Sequence, residues 1–385
     1  MTSFLNQTKH VFEAIHFNQP MVAECYGETI KFFCYYDRAT DWPTVIKWHQ
    51  SRHPRPVFCF MDVREISHLA NFDLNNSNCH VTWIPHMWAD HGVDPKHMLW
   101  IGNYHSTIDH DDVVKSLGMD INTQWIRYFE GDAFFKHYVQ QSDKNKQGPF
   151  HMTPRHLMTY DKKYLALFGK PRKFMRAGAM ILMHRNGMDH DAIISSLAEQ
   201  QGIQQAVEWT SQYWDKQELE TVFNKHAGAV DHIVYDSPQT MDSNYRGYPY
   251  DVDLYRNTAI SIVAETNDVA SDNHPLGQFW VTEKICRTMF NHHPFVVLST
   301  PHFLKNLKQL GYQTFDSIID ESYDECTDPY TRLAKAIGSA RDLADNITST
   351  LLKDIVVHNF QMLHKVFYDI TETLNTTLNH ISSIK

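Results

Sequence analysis

The sequence predicts an α/β protein built from two open-sheet domains that face a cleft, followed by a helical C-terminal tail. Three observations carry that prediction. At 385 residues the chain exceeds one ordinary domain and suits two, each able to bury its own core. Short aromatic and β-branched runs alternate along it with stretches of helical apolar spacing. Between the halves, the polar, Gly- and Pro-bearing stretch from Gln140 to His156 has no apolar periodicity and reads as a linker. The expected division is an N-terminal α/β domain over 1–150, a C-terminal α/β domain over 157–340 and a helical tail over 341–385.

In the first domain the runs TIKFFCYY, PVFCFMDV, HVTWIPH and HMLWIGNY read as buried strands, bounded by polar residues or Pro and Gly. WPTVIKWHQSRH and DHDDVVKSLGMD have helical spacing, the second with Asp109 or Asp111 as N-terminal cap. The second domain opens with KKYLALFG as a strand, a Gly-Pro turn, and a helix from about Pro171 to Arg185 that faces Phe174, Ala177, Met180, Ile181 and Leu182 inward. ELETVFNKHA is helical, and TAISIVAET reads as a buried strand ending at Glu265. After the polar loop NDVASDNHPLGQ, Thr282 is placed to cap a helix carrying Ile285, Met289 and Phe290, and HPFVVLS supplies a further strand. From Pro329 the pattern is helical, with an apolar stripe through Leu351, Ile355, Phe360, Leu363 and Phe367 that should pack the tail across both domains.

Composition narrows the function classes. Hydrophobic residues at 42%, aromatics at 13% and charged residues at 21% describe a packed globular protein, and no fixed-period repeat suggests a solenoid or propeller. A net charge of −10 argues against a general polyanion-binding surface, although 25 histidines make that balance sensitive to mild acid. The six cysteines are scattered without a CxxC pair, as expected of reduced thiols, and the first residues lack a signal-peptide pattern. With no apolar run long enough to span a bilayer, the expected setting is cytoplasmic, the host cytoplasm if the source is a virus, without membrane insertion. The phosphate-loop, dinucleotide GxGxxG and GxSxG patterns are missing, which removes the usual support for kinase, dehydrogenase and hydrolase readings. His110, His190, His292 and His293 lack zinc-ligand spacing, and DESYDE at Asp320 to Glu325 lacks defined cation-ligand spacing, so no metal is expected.

Two predicted helix starts carry candidate cations. Arg172 and Arg176 lie four apart and so share a helix face near its N-terminus, where the backbone also favours anions. Lys284 lies beside Glu283 just after the capping Thr282. Such fixed cations and helix starts are what a metal-independent enzyme needs to stabilise a departing nucleoside diphosphate, and an adjacent carboxylate can accept ribose hydroxyls.

The segment from Ser261 to Phe315 resembles the donor-binding motif of fucosyltransferases and related glycosyltransferases of the GT-B type. Ala264, Glu265 and Thr266 match the acidic strand end, Trp280 to Lys284 the aromatic-x-T-E-K helix start, and Pro294 to Leu298 the following strand. With GYQTFDSIIDESYDE included, the pattern also resembles glycosyltransferase-like proteins of bacteriophages and giant viruses; the likeness covers roughly Lys163 to Arg341. The resemblance implies two Rossmann-like domains and a nucleoside-diphosphate-sugar donor; together with the charge argument the expected donor-binding residues are Arg172, Arg176, Glu265, Thr282, Glu283 and Lys284, with a UDP-sugar favoured and no further cofactor. An inverting transfer also needs a general base. Asp62, at the end of PVFCFMD, is the first candidate, with His105 and Asp109 as alternatives. The expected acceptor is a hydroxyl, either of a hydroxymethylated base in phage DNA or of a glycan such as lipopolysaccharide. Trp83, Trp88 and Trp100 beside Arg52, Arg55 and Arg64 suit the former but equally a hydrophobic core. The alternative class is a non-catalytic nucleotide- or glycan-binding protein; the oligomeric state is open.

Overall fold

The computed structural model describes the backbone of residues 21–25, 28–32, 59–62, 98–103 and 124–128, and of 160–383 apart from 170, 172, 197–199, 227–251, 266–278 and 280. Side chains are described from Tyr160 onward, except those of 196, 200–202, 252–253, 283, 367–368 and 370–383. The chain divides into two compact units, Met1–Asp132 together with Val366–Lys385, and Ala133–Lys365.

In the first unit, β1 (Met21–Cys25) and β2 (Glu28–Phe32) form an antiparallel pair. A separate parallel sheet runs in the order β3 (Cys59–Asp62), β4 (Met98–Asn103), β5 (Gln124–Tyr128). The predicted strands TIKFFCYY, PVFCFMDV and HMLWIGNY correspond to β2, β3 and β4, whereas β1 and β5 are additional. HVTWIPH, both helices predicted in this half and the linker from Gln140 to His156 lie outside the described residues.

The second unit begins with β6 (Lys162–Gly169), α1 (Phe174–Arg185) and β7 (Ala192–Ser196), followed by α2 (Gln200–Thr210), α3 (Lys216–His226) and α4 (Val252–Arg256). Then come β8 (Thr258–Ala264), α5 (Glu283–Phe290), β9 (Phe295–Leu298), α6 (Phe303–Gln309), α7 (Pro329–Asp345) and α8 (Thr350–Ser383), the last passing from the second unit into the first at Val366. Its four strands are all parallel, in the order β7-β6-β8-β9. Every residue of β8 and β9 is buried, as parallel strands covered on both faces require.

Strand order fixes where this sheet opens. The chain leaves β6 toward β7 in one direction and leaves β8 toward β9 in the other, so the adjacent carboxyl ends of β6 and β8 form a topological switch point. Right-handed crossovers put the helices following these two strands on opposite faces, which leaves a crevice between their starts.

The helices follow from their apolar patterns with two adjustments. In α1, Phe174, Met175, Ala177, Met180, Ile181 and Met183 are buried while Leu182 is only half-buried, because this helix is enclosed nearly all round and does not show a single inner stripe. Gly178 has a specific cause: a Cβ there would collide with the Trp214 ring and with Leu333. In α8 the buried set is Leu352, Ile355, Val356, Asn359, Leu363 and Val366, while Leu351 is 44% exposed. The buried stripe runs one residue over from Leu351, Phe360 is half-buried, and the Phe367 side chain lies outside the described residues. Asp328 caps α7 by accepting the Thr331 N–H at 2.7 Å, with Pro329 at the first helical position.

Candidate functional site

Three described segments meet the carboxyl edge of the second unit's sheet, and each is shaped by a different device. At the end of β8, Glu265 is 2% exposed. A buried carboxylate needs donors, and Thr282 supplies two: its N–H at 3.3 Å to Oε1 and its hydroxyl, in a short hydrogen bond, to Oε2. Thr282 is itself the N-cap of α5, in extended conformation, accepting the Lys284 N–H at 3.3 Å. The Lys284 ammonium folds back and donates to the same hydroxyl at 3.2 Å. Glu265, Thr282 and Lys284, chosen from the sequence as site residues, are thus joined in one hydrogen-bonded chain between a strand end and a helix start.

At the end of β6, Gly169 adopts φ +58°, which turns the chain toward α1. The α1 N-cap, Lys173, makes no side-chain capping bond, and the first turn holds no acidic residue. That helix start favours an anion through its backbone N–H groups and dipole. Arg176 lies in this first turn, half-buried. Arg172 and the Glu283 side chain lie outside the described residues. Among the base candidates, Asp62 is the last residue of β3, paired with Ile101 of β4; His105 and Asp109 lie outside the described residues.

At the end of β9 the chain continues through Ser299, Thr300, Pro301 and His302 into α6. Arg332 of α7, 1% exposed, clamps this turn by donating to the Ser299 carbonyl at 2.8 Å and the Thr300 carbonyl at 2.7 Å. It also donates to the carbonyls of Tyr323 (2.6 Å) and Asp324 (2.9 Å) and to the Asp324 carboxylate (3.3 Å). That carboxylate accepts the Leu304 and Lys305 N–H groups at 3.1 and 3.0 Å, so the start of α6 is closed by the protein's own anion. The lack of cation-ligand spacing in DESYDE gives no hint of this role for Asp324, and Arg332 is not among the residues singled out from the sequence. The available signal was an arginine adjoining the apolar inner stripe of α7, at Leu333, Ala336, Ile337 and Ala340.

Beside α6 lies an open groove of about 560 Å3, where Asp316, Asp320, Glu321, Asp324 and Glu325 face Lys305 and Lys308. Carboxylates outnumber cations there, which makes it a poor place for a polyphosphate compared with the basic start of α1.

The histidines and acids at the opposite, amino edge of the sheet are engaged internally. His293 is fully buried, with Nδ1 2.7 Å from the Ser261 hydroxyl and Nε2 2.8 Å from the Thr258 carbonyl. His292 stacks on Phe360 with centroids 4.3 Å apart. Before β7, buried Asp189 is 2.7 Å from both Lys225 Nζ and His184 Nδ1. Burial alone would raise its carboxyl, but these hydrogen bonds and charges outweigh it and hold the pKa down at about 2. Burial lowers the pKa of the neighbouring His226. Among the described residues, no group of three or more His, Cys, Asp or Glu side chains is placed to hold a metal ion, and no helix is long and apolar enough to cross a membrane.

No protein-family model matches the sequence, and a search of curated proteins finds no match. Solved structures that are similar at a low level include the following three. A UDP-forming α,α-trehalose-phosphate synthase from Burkholderia xenovorans has 10% identity and a TM-score of 0.46, over 100% of this chain and 78% of that one. The corresponding UDP-forming synthase from Burkholderia vietnamiensis has 11% identity and a TM-score of 0.42, over 91% and 78%. The N-terminal domain of Candida albicans trehalose-6-phosphate phosphatase has 9% identity and a TM-score of 0.40, over 99% and 76%. Likeness this low transfers neither fold nor activity to this chain.

Proposed function

We propose that this chain is a glycosyltransferase that binds a nucleoside-diphosphate sugar at the carboxyl edge of the β7-β6-β8-β9 sheet, in the manner of a Rossmann-like domain. The observation that carries the reading is the Glu265–Thr282–Lys284 chain at the strand-to-helix junction beside the switch point. The Glu265 carboxylate holds the Thr282 hydroxyl, and that hydroxyl holds the Lys284 ammonium, before any ligand arrives; an ammonium fixed in this way suits the negative charge that develops on a leaving diphosphate. The uncapped start of α1, with Arg176 in its first turn and Arg172 just ahead of it, supplies a second cationic element for the phosphates. Glu283 would take the ribose hydroxyls, following the family pattern that the segment resembles. We favour a UDP-sugar donor without a metal. The acceptor is a hydroxyl, of a hydroxymethylated DNA base or of a glycan, and in an inverting transfer we give its proton to Asp62.

A thermal-shift screen with UDP, GDP, CMP and their sugar conjugates tests the donor, since a ligand that binds the folded state raises apparent stability by mass action. The UDP series should raise the midpoint, and Lys284→Ala should weaken donor affinity or turnover by about 2 kcal/mol or more, the order expected for a lost charge-assisted contact. Wild-type kinetics in that variant would remove Lys284 from the site. Release of UDP only when a hydroxymethylated DNA or a glycan is added would identify the acceptor, whereas binding without release would mark a non-catalytic binder.

A further inference from the structure

His302 stands out at the carboxyl edge because its ring nitrogen Nδ1 has no hydrogen-bond partner on a residue whose backbone its neighbours hold in place. It adopts φ 65° and ψ 16°, the left-handed region, which non-glycine residues enter only under strain. A histidine at a helix start would ordinarily justify its place by capping, but His302 makes no side-chain capping bond, because the Asp324 carboxylate already takes the Leu304 and Lys305 N–H groups. The imidazole Nδ1 is buried without a hydrogen-bond partner. Positive φ alone marks no function, since His292 at the amino edge has one too; at His302 it coincides with an unpaired ring nitrogen on a half-buried imidazole at the carboxyl edge of the sheet.

The position fits a ligand-binding role. Glu265 donates its N–H to the Leu298 carbonyl at 3.0 Å, so the turn leading to His302 starts next to Glu265 on the neighbouring strand. Phe303, the next residue, packs on Phe279 with ring centroids 5.0 Å apart, and Phe279 leads into Thr282 and α5. The turn is not free to relax: Arg332 holds the Ser299 and Thr300 carbonyls, and the His302 N–H donates to the Asp324 carbonyl at 2.7 Å. We propose that His302 is a donor-contacting residue of this site, its imidazole hydrogen-bonding an oxygen of the bound nucleotide sugar, either a phosphate oxygen or a sugar hydroxyl. The inference rests on the nucleotide-sugar reading of the same edge.

His302→Gly separates this role from a structural one, since glycine adopts a positive φ without strain. The variant should keep or slightly raise the unfolding midpoint while its affinity for UDP-sugar, measured by calorimetry, falls on the order of tenfold, the amount expected for one lost hydrogen bond in a desolvated site. His302→Asn, which tolerates the same backbone and retains a donor and an acceptor, should lose less. An equal loss for UDP and for UDP-sugar assigns the contact to a phosphate; a loss confined to UDP-sugar assigns it to the sugar. UDP-sugar affinity unchanged in His302→Gly overturns the inference and leaves the nucleotide reading intact. Failure of the wild-type chain to bind any nucleotide overturns the nucleotide reading and the inference together.

Discussion

Asp189 and Glu265 are two buried carboxylates at opposite edges of one sheet, and they are satisfied in different ways. At the amino edge Asp189 pairs with the Lys225 ammonium and hydrogen-bonds with His184, each 2.7 Å away, and His293 is pinned between Ser261 and Thr258. At the carboxyl edge Glu265 accepts from a backbone N–H and a hydroxyl, and the lysine of that network reaches the hydroxyl. Nearby, a buried arginine spends its donors mostly on main-chain carbonyls, so that it fixes a turn. Polar groups at the amino edge close on one another and hold elements together. Those at the carboxyl edge set the path of the backbone at the ends of β8 and β9, and this is how a rigid scaffold presents loops to a ligand.

The largest test of that contrast is Arg332→Met. It would leave four carbonyls and the Asp324 carboxylate without their shared cation in the interior. The expected loss is about 3–5 kcal/mol, as for other buried pairs broken from one side, or a fall of roughly 10 °C in midpoint. Urea unfolding reads it directly, and a loss under about 1 kcal/mol would mean that the turn after β9 holds its shape without the clamp.

Asp189→Asn probes the other edge and should cost about 1.5–3 kcal/mol at pH 7, the range for hydrogen bonds to charged groups. Its signature lies in the pH profile. With its folded pKa held at about 2, below the ordinary carboxylate value, Asp189 contributes stability above pH ~4 that is lost as the pH falls toward 2. His226 acts in a separate window: its folded pKa is lowered by burial, so the unfolded chain takes up the proton first and stability declines as the pH drops below ~6.5. Urea midpoints between pH 7 and 2 should show both declines in the wild-type chain, with the acid one much reduced in Asp189→Asn. An unchanged acid decline would place its origin in other carboxylates.

How much of this was legible in the sequence depended on the range of the interactions. β6, β8, β9 and α5 could be read because their apolar runs are continuous or periodic and because Thr282 is a local cap. Glu265 at a strand end and Thr282 at a helix start were each local readings, but the hydrogen bond that joins them across 17 residues was not legible. Arg332 was hidden because its partners, Ser299 and Thr300, lie 33 and 32 residues away and offer only carbonyls, which every residue has. His302 was hidden for a related reason: its backbone angle is held by the clamp of Arg332 and the Asp324 carbonyl, and the enrichment of histidine among left-handed residues is too weak to place one. Leu351 was assigned to the wrong face of α8 because a one-residue rotation moves a side chain about 100° around a helix.

The smallest expected effect is the one that bears most directly on the carboxyl edge. Thr282→Val preserves shape and removes only the hydroxyl, so Glu265 keeps the N–H at 3.3 Å and loses its shorter partner, while α5 loses its cap. A cost of about 1–2 kcal/mol is expected. That number alone does not distinguish a helix cap from a linked network, because either would lose stability. Combining Thr282→Val with Lys284→Met does distinguish them. If the hydroxyl is the bridge between ammonium and carboxylate, the two substitutions should be non-additive by at least about 0.5 kcal/mol in urea unfolding, since each removes the same contact. Strict additivity would mean that Lys284 and Glu265 are independent neighbours, and the preorganised chain that supports the nucleotide reading would reduce to an ordinary helix start.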